Sequence, residues 1–129
     1  TWVKVNAPVD EGIAEIVSLL SGIDGLETLQ SCQGEPAANP QAPRPMAYVF
    51  FYYGGWEKIC RFAFETLAPA LDGIEGASIS VEIFGGSEPM GKLCVEPLAI
   101  NKLAVCLERV VNRHKTLCFC DKEHTWLRN

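Results

Sequence analysis

Met46-Ala47-Tyr48-Val49-Phe50-Phe51-Tyr52-Tyr53 carries no charge and is apolar on both faces of an extended chain. Aromatic and β-branched residues in an unbroken run of this length predict a strand in the middle of a sheet, covered to some degree on both sides. Its flanks support that reading. Gln33 to Pro45 holds four of the eight prolines and almost nothing apolar, which is too long and too proline-rich for a hairpin turn, and Gly54-Gly55 breaks the strand at its other end.

Working outward, residues 2–6 (Trp-Val-Lys-Val-Asn) alternate as a strand does, and Pro8 ends them. Asp10 is placed to cap a helix in which Ile13, Ile16, Val17 and Leu20 fall at helical spacing, closed by Gly22. Gly25 to Ser31 reads as a second strand with mixed faces. After the central strand, a helix is expected over Trp56 to Leu71, with Ile59, Cys60, Ala63, Phe64 and Leu67 inward and its end frayed by Pro69. Ala77, Ile79, Val81 and Ile83 alternate with Ser78, Ser80 and Glu82 as a strand with one wet face, and the Gly85 to Gly91 turn leads to a partner at Lys92 to Glu96. Pro97 opens a last helix whose stripe of Ile100, Leu103, Ala104, Leu107, Val110 and Val111 is the strongest periodic signal in the chain.

The resulting order, β-α-β-β-α-β-β-α, predicts a single α+β domain. Its mostly antiparallel sheet carries helices on one face: a ferredoxin-like core with an added hairpin strand and a C-terminal helix. A chain of 129 residues with 48% hydrophobic and 21% charged residues has the apolar material for one core, and no linker divides it; only the tail from about residue 115 is expected to be partly ordered.

The net charge of -5 is spread along the chain, and no Lys/Arg run is interleaved with aromatics, so nucleic acid is disfavoured as a partner. No apolar stretch approaches the roughly 20 residues that span a bilayer. The N-terminal residues carry no secretory signal pattern. These features predict a cytoplasmic protein with no membrane partner. Cys32, Cys60, Cys94, Cys106, Cys118 and Cys120 are mostly isolated, which favours free thiols over a disulfide framework.

One segment reads as a site. Ser31-Cys32-Gln33-Gly34 ends a strand and opens the proline-rich loop, where a rigid sheet can present polar groups to a ligand. Ser31 and Gln33 bring hydrogen-bonding groups, Cys32 a thiol, Gly34 close backbone approach, and Glu35 and Arg44 charges of both signs. The opposing expectation makes Cys32 a small buried group and Gly34 a turn.

A second candidate is Cys118-Phe119-Cys120 with His114 and His124, four groups of the types zinc prefers. The spacing does not match a common zinc motif, and His114 continues the stripe of the last helix, so packing is expected there, with no metal. Trp2, Trp56, Trp126, Tyr48, Tyr52 and Tyr53 are expected mainly in packing.

The run from Val3 to Ile13, Gly25-Leu26-Glu27-Thr28-Leu29-Gln30-Ser31-Cys32-Gln33-Gly34, and Ala47 to Phe51 together resemble a group of uncharacterised bacterial and phage-type small proteins with a Ser-Cys-x-Gly motif. That resemblance covers about the first half of the chain and implies no activity. More distantly, the helix, the strand ending in Ser31-Cys32-Gln33-Gly34 and the next strand are similar to the tRNA wybutosine-synthesising protein 3 family. This similarity implies methyl transfer from S-adenosylmethionine to a tRNA base. The family has Ser-Ser-Cys-Ser-Gly-Arg where this chain has Gln30, Gln33 and Glu35 at the departing positions.

Two functions are therefore expected. One is a small-ligand or substrate-binding domain, related to nucleoside or RNA modification, with its site at Ser31 to Gly34. The other is a non-catalytic interaction module that pairs a hairpin or sheet edge with another protein or with its own copy as a homo-oligomer. A concave pocket at the motif with an exposed Cys32 supports the first. A flat apolar patch on the sheet supports the second.

Overall fold

The structure, a computed structural model, describes residues 11–34, 46–83 and 88–128, with side chains as far as residue 114. Helix α1 (Glu11–Ser21) is followed by strands β1 (Leu26–Cys32) and β2 (Ala47–Tyr53). A helical stretch then runs through α2 (Trp56–Arg61), a π-helical turn (Phe62–Leu67) and α3 (Ala68–Leu71). Strands β3 (Ala77–Ile83) and β4 (Pro89–Val95) lead through a 3₁₀ turn (Pro97–Ala99) into α4 (Ile100–Arg128). Residues 2–6, Asp10, the loop from Glu35 to Pro45 and the turn at 84–87 lie outside the described residues.

The fold is α+β: the described residues form a four-stranded antiparallel sheet in the order β1-β2-β4-β3. β2 is central, as its sequence demands. β4, expected as the hairpin addition, lies inside the sheet between β2 and β3, and it begins at Pro89 rather than Lys92.

Alternation along β2 decides where the core lies. Ala47, Val49, Phe51 and Tyr53 are buried and join Ile13, Ile16, Val17 and Leu20 of α1, Ile59 and Phe62, and Leu103, Leu107 and Val111 of α4 in one apolar cluster. The helices thus share one face of the sheet. Tyr48, Phe50 and Tyr52 point the other way and are only half-buried. The expected two-sided burial of β2 is therefore complete on the helix side and partial on the outer side.

Glycine shapes this core at Gly91. A Cβ built there would stand 2.6 Å from Cε1 and Cε2 of Phe51, so the missing side chain is the room the aromatic ring occupies. The ring also meets Phe62 edge-on, with centroids 6.0 Å apart.

The mixed faces of β1 come from a bulge. Register runs from Thr28↔Phe51 to Gln30↔Phe50, so Leu29 is the extra residue and everything after it changes face. Gln30 and Cys32 consequently join the outer face, opposite Phe50 and Tyr48, while Ser31 pairs with Val49 of the core face. At the start of β1, the buried hydroxyls of Ser21 and Thr28 satisfy each other at 3.0 Å.

In the middle helices the inward stripe is Ile59, Phe62, Ala63, Leu67 and Leu71. Phe64, expected inward, is 51% exposed. The ring that meets Phe51 and Tyr53 belongs to Phe62, two positions earlier. The helix continues past Pro69 to Leu71: proline has no N–H to give the preceding turn, and the wider π-helical turn lies immediately before it. Ala70 O, in the last turn of α3, accepts the Cys106 thiol of α4 at 3.0 Å. α4 itself is helical from Ile100 to Arg128. Cys32, Cys60, Cys94 and Cys106 are free thiols.

Candidate functional site

The Ser31 to Gly34 segment closes on itself and on α1. The Gln33 Oε1 atom accepts the backbone N–H of Gly12 at 2.8 Å, binding the end of β1 to the first turn of α1, where N–H groups have no partner within the helix. Gly34 is buried with φ +70°, a left-handed conformation that favours glycine, and its N–H reaches the Cys32 sulfur at 3.5 Å. Ser31 and Cys32 are half-buried. The motif therefore supplies structure from Gln33 and Gly34 and one outward group, Cys32, set beside Tyr48. Glu35 and Arg44 lie outside the described residues.

That placement makes Cys32 part of a larger surface. The outer face of the sheet carries Tyr48, Phe50 and Tyr52 down its second strand, with Glu27, Gln30 and Cys32 on one side and Lys92 and Cys94 on the other. β3 adds Ser78, Ser80 and Glu82. The rings of Tyr48 and Phe50 meet edge-on at 5.4 Å, and the Lys92 ammonium lies 5.9 Å and 5.4 Å from their centroids. Burial pushes the Cys94 thiol upward in pKa, Lys92 lowers it and Glu82 raises it, so the thiol form is favoured. Glu82 Oε2 is buried and has no hydrogen-bond partner among the described residues. A buried acceptor left without a donor is costly, and an incoming donor relieves that cost.

Two concavities lie at the far end of this sheet from Ser31 to Gly34. A smaller one of about 300 Å³ is lined by Ser21, Ile23, Asp24 and Gly25 to Thr28. A larger one of about 510 Å³ is bounded by Gly25, Glu27, Tyr52, the Gly54-Gly55 turn, Trp56, Glu88 and Pro89. Sequence reasoning assigned Tyr52 and Trp56 mainly to packing and did not connect them with Glu27 or Glu88, which come from two other segments.

His114 is a packing residue, as its place in the α4 stripe predicts, and it lies within that helix rather than in its last turn. Its ring meets Phe62 at 5.1 Å and Tyr53 at 5.9 Å, and Nε2 is hydrogen-bonded to the Tyr53 hydroxyl at 2.8 Å. Burial, then the nearby Lys58 ammonium, which itself sits 4.5 Å from the Tyr53 ring, lowers the His114 pKa below its ordinary 6.5. Protonation thus favours the unfolded chain. The stability His114 contributes is complete above pH 6.5 and is lost as pH falls through the folded pKa. The urea midpoint is expected to drop between about pH 7.5 and about pH 5, and His114→Gln to flatten that drop; equal slopes in both proteins would show that His114 does not contribute.

The side chains of Cys118, Cys120 and His124 lie outside the described residues. Among the described residues there is no group of three or more His, Cys, Asp or Glu placed to hold a metal, and no helix long and apolar enough to cross a membrane. No family model, curated protein or solved structure matches the chain.

Proposed function

We propose that this chain is a non-catalytic interaction module whose working surface is the outer face of its sheet, covered in use by a protein partner. The observation that carries the reading is the half-buried aromatic stripe of Tyr48, Phe50 and Tyr52 on the central strand, backed by a core complete on the helix side. Aromatic rings and an amphipathic Lys92 are the groups that gain most from being covered. The Glu82 oxygen without a donor fits a surface completed by its partner. Gln33 is engaged in holding α1, which favours this reading over a small-molecule site at the motif. Cys32 contributes at one end of the same face.

The test is a photoreactive phenylalanine at position 50 together with sedimentation equilibrium. Cross-links from that position to another chain are expected: to a second copy if the module self-associates, to a different protein otherwise. Phe50→Ser with Tyr48→Ser should abolish the association at a stability cost well below that of truncating buried core aromatics, about 3–5 kcal/mol each. Cross-links confined to the protein's own chain, or a double variant that loses stability as a core variant does, would rule the reading out.

A further inference from the structure

We infer that the larger concavity, at the Gly54-Gly55 end of the outer face, is a site for an alkylammonium group, primary or N-methylated. The inference rests on the reading of that face as the binding surface and adds the chemistry it selects.

The cavity brings together groups that have no common packing role. Glu27 and Tyr52 are cross-strand neighbours on β1 and β2. Trp56, 49% exposed, follows the Gly54-Gly55 turn, and Glu88 precedes β4. Its volume of about 510 Å³ falls within the range of small-molecule sites, roughly 300–1,000 Å³. Two carboxylates and two aromatic rings line it, with no Lys or Arg among the described lining residues. Among the described residues neither carboxylate forms an ion pair; Arg61 pairs with Glu57 and Glu65. The adjacent ammonium, Lys58, is held over the buried Tyr53 ring.

An anion would meet two like charges here, and a neutral apolar group would leave both carboxylates without a counter-charge. An alkylammonium satisfies both halves of the lining: its charge faces the carboxylates, and its methylene or methyl groups lie on the faces of Tyr52 and Trp56. Aromatic rings beside carboxylates attract soft organic cations in this way, and the preference for a charged over a neutral ligand of equal shape is its signature. At the rim, Lys58 lies against Gly25 and Gly54, and Gly55, which has no side chain near its Cα, leaves the open approach.

The experiment is a nuclear magnetic resonance titration at low salt, following the amides of Gly25, Gly54 and Gly55. Choline and n-butylammonium are expected to give saturable shifts at these positions, and dimethylbutanol, the uncharged carbon isostere of choline, to give none. Glu27→Gln combined with Glu88→Gln should weaken choline binding by about tenfold or more, and Trp56→Ala should weaken it while leaving butylammonium less affected. These residues are exposed, so the variants remain folded, which unchanged amide dispersion elsewhere will verify. A short lysine peptide separates the sources of the group: tighter binding than butylammonium, with shifts extending to Tyr48 and Phe50, identifies a side chain presented by a protein partner, and equal binding identifies a free amine. Equal shifts from dimethylbutanol and choline, shifts that never saturate, or undiminished binding in the double glutamine variant would overturn the site. Loss of the site with cross-linking from position 50 intact would remove this inference alone.

Discussion

Phe51→Ala is expected to cost about 3–5 kcal/mol of unfolding free energy, among the largest single losses available to this fold. Phe51 is fully buried on the central strand, and its ring lies in the space left by Gly91 and against Phe62. Removing it leaves a void that neighbours on three elements cannot close together. Gly91→Ala attacks the same contact from the other side: its new Cβ meets the ring, and overpacking of this kind costs about 1–3 kcal/mol. The two losses should not add. With the ring gone, an alanine at position 91 partly fills the void, so the double variant is expected to be more stable than the sum of the single losses by about 1–2 kcal/mol. Urea unfolding of the four proteins measures this. If Gly91→Ala costs as much without the ring as with it, the glycine serves the backbone and not the ring.

That pair also shows where sequence reading stops. Apolar runs and periodicity sufficed to place β2 at the centre of the sheet, to find both later strands and to assign the helices, because each signal is local. The pairing of Phe51 with Gly91 joins residues on different strands, and nothing near Gly91 marks it as anything but a turn glycine. The order β1-β2-β4-β3 was hidden for the same reason: pairing depends on surfaces that meet only when the chain folds. In β1 the Leu29 bulge changes the face of every later residue, so a strict period of two misassigns them. In the middle helix the expected stripe of Ile59, Cys60, Ala63, Phe64 and Leu67 departs from the core at Phe64, whose inward place is taken by Phe62 against the rings of Phe51 and Tyr53.

The site was legible in part. Ser31-Cys32-Gln33-Gly34 stands out because polar residues and glycine follow a strand, and the structure does give the segment specific work. Much of that work is structural: Gln33 reaches Gly12, 21 residues away, a contact that no local pattern encodes. Conversely, Glu27, Tyr52, Trp56 and Glu88 are unremarkable one by one and become a cavity through the β1–β2 register and the Gly54-Gly55 turn.

Where a local signal and the folded surroundings agree, the expected effect can be stated from both. Leu107→Ala should lower stability by about 2–5 kcal/mol, as truncation of a fully buried leucine does. Leu107 is 1% exposed and lies in the α4 stripe with Leu103, Ala104 and Val111, all buried in the same cluster as α1 and β2. α4 packs on α1 and α3, so collapse into the void would require one helix to move against contacts made by the others. The loss should therefore lie well above the cost of transferring the missing atoms to water alone. Val105→Ala is the control: Val105 is 56% exposed on the opposite side of the same helix, and its loss should stay within about 0.5 kcal/mol. Both variants should keep the native dependence of free energy on urea, since neither changes the surface exposed on unfolding by much. A Leu107→Ala loss below about 1 kcal/mol, or one no greater than that of Val105→Ala, would mean that the stripe does not hold α4 to the sheet.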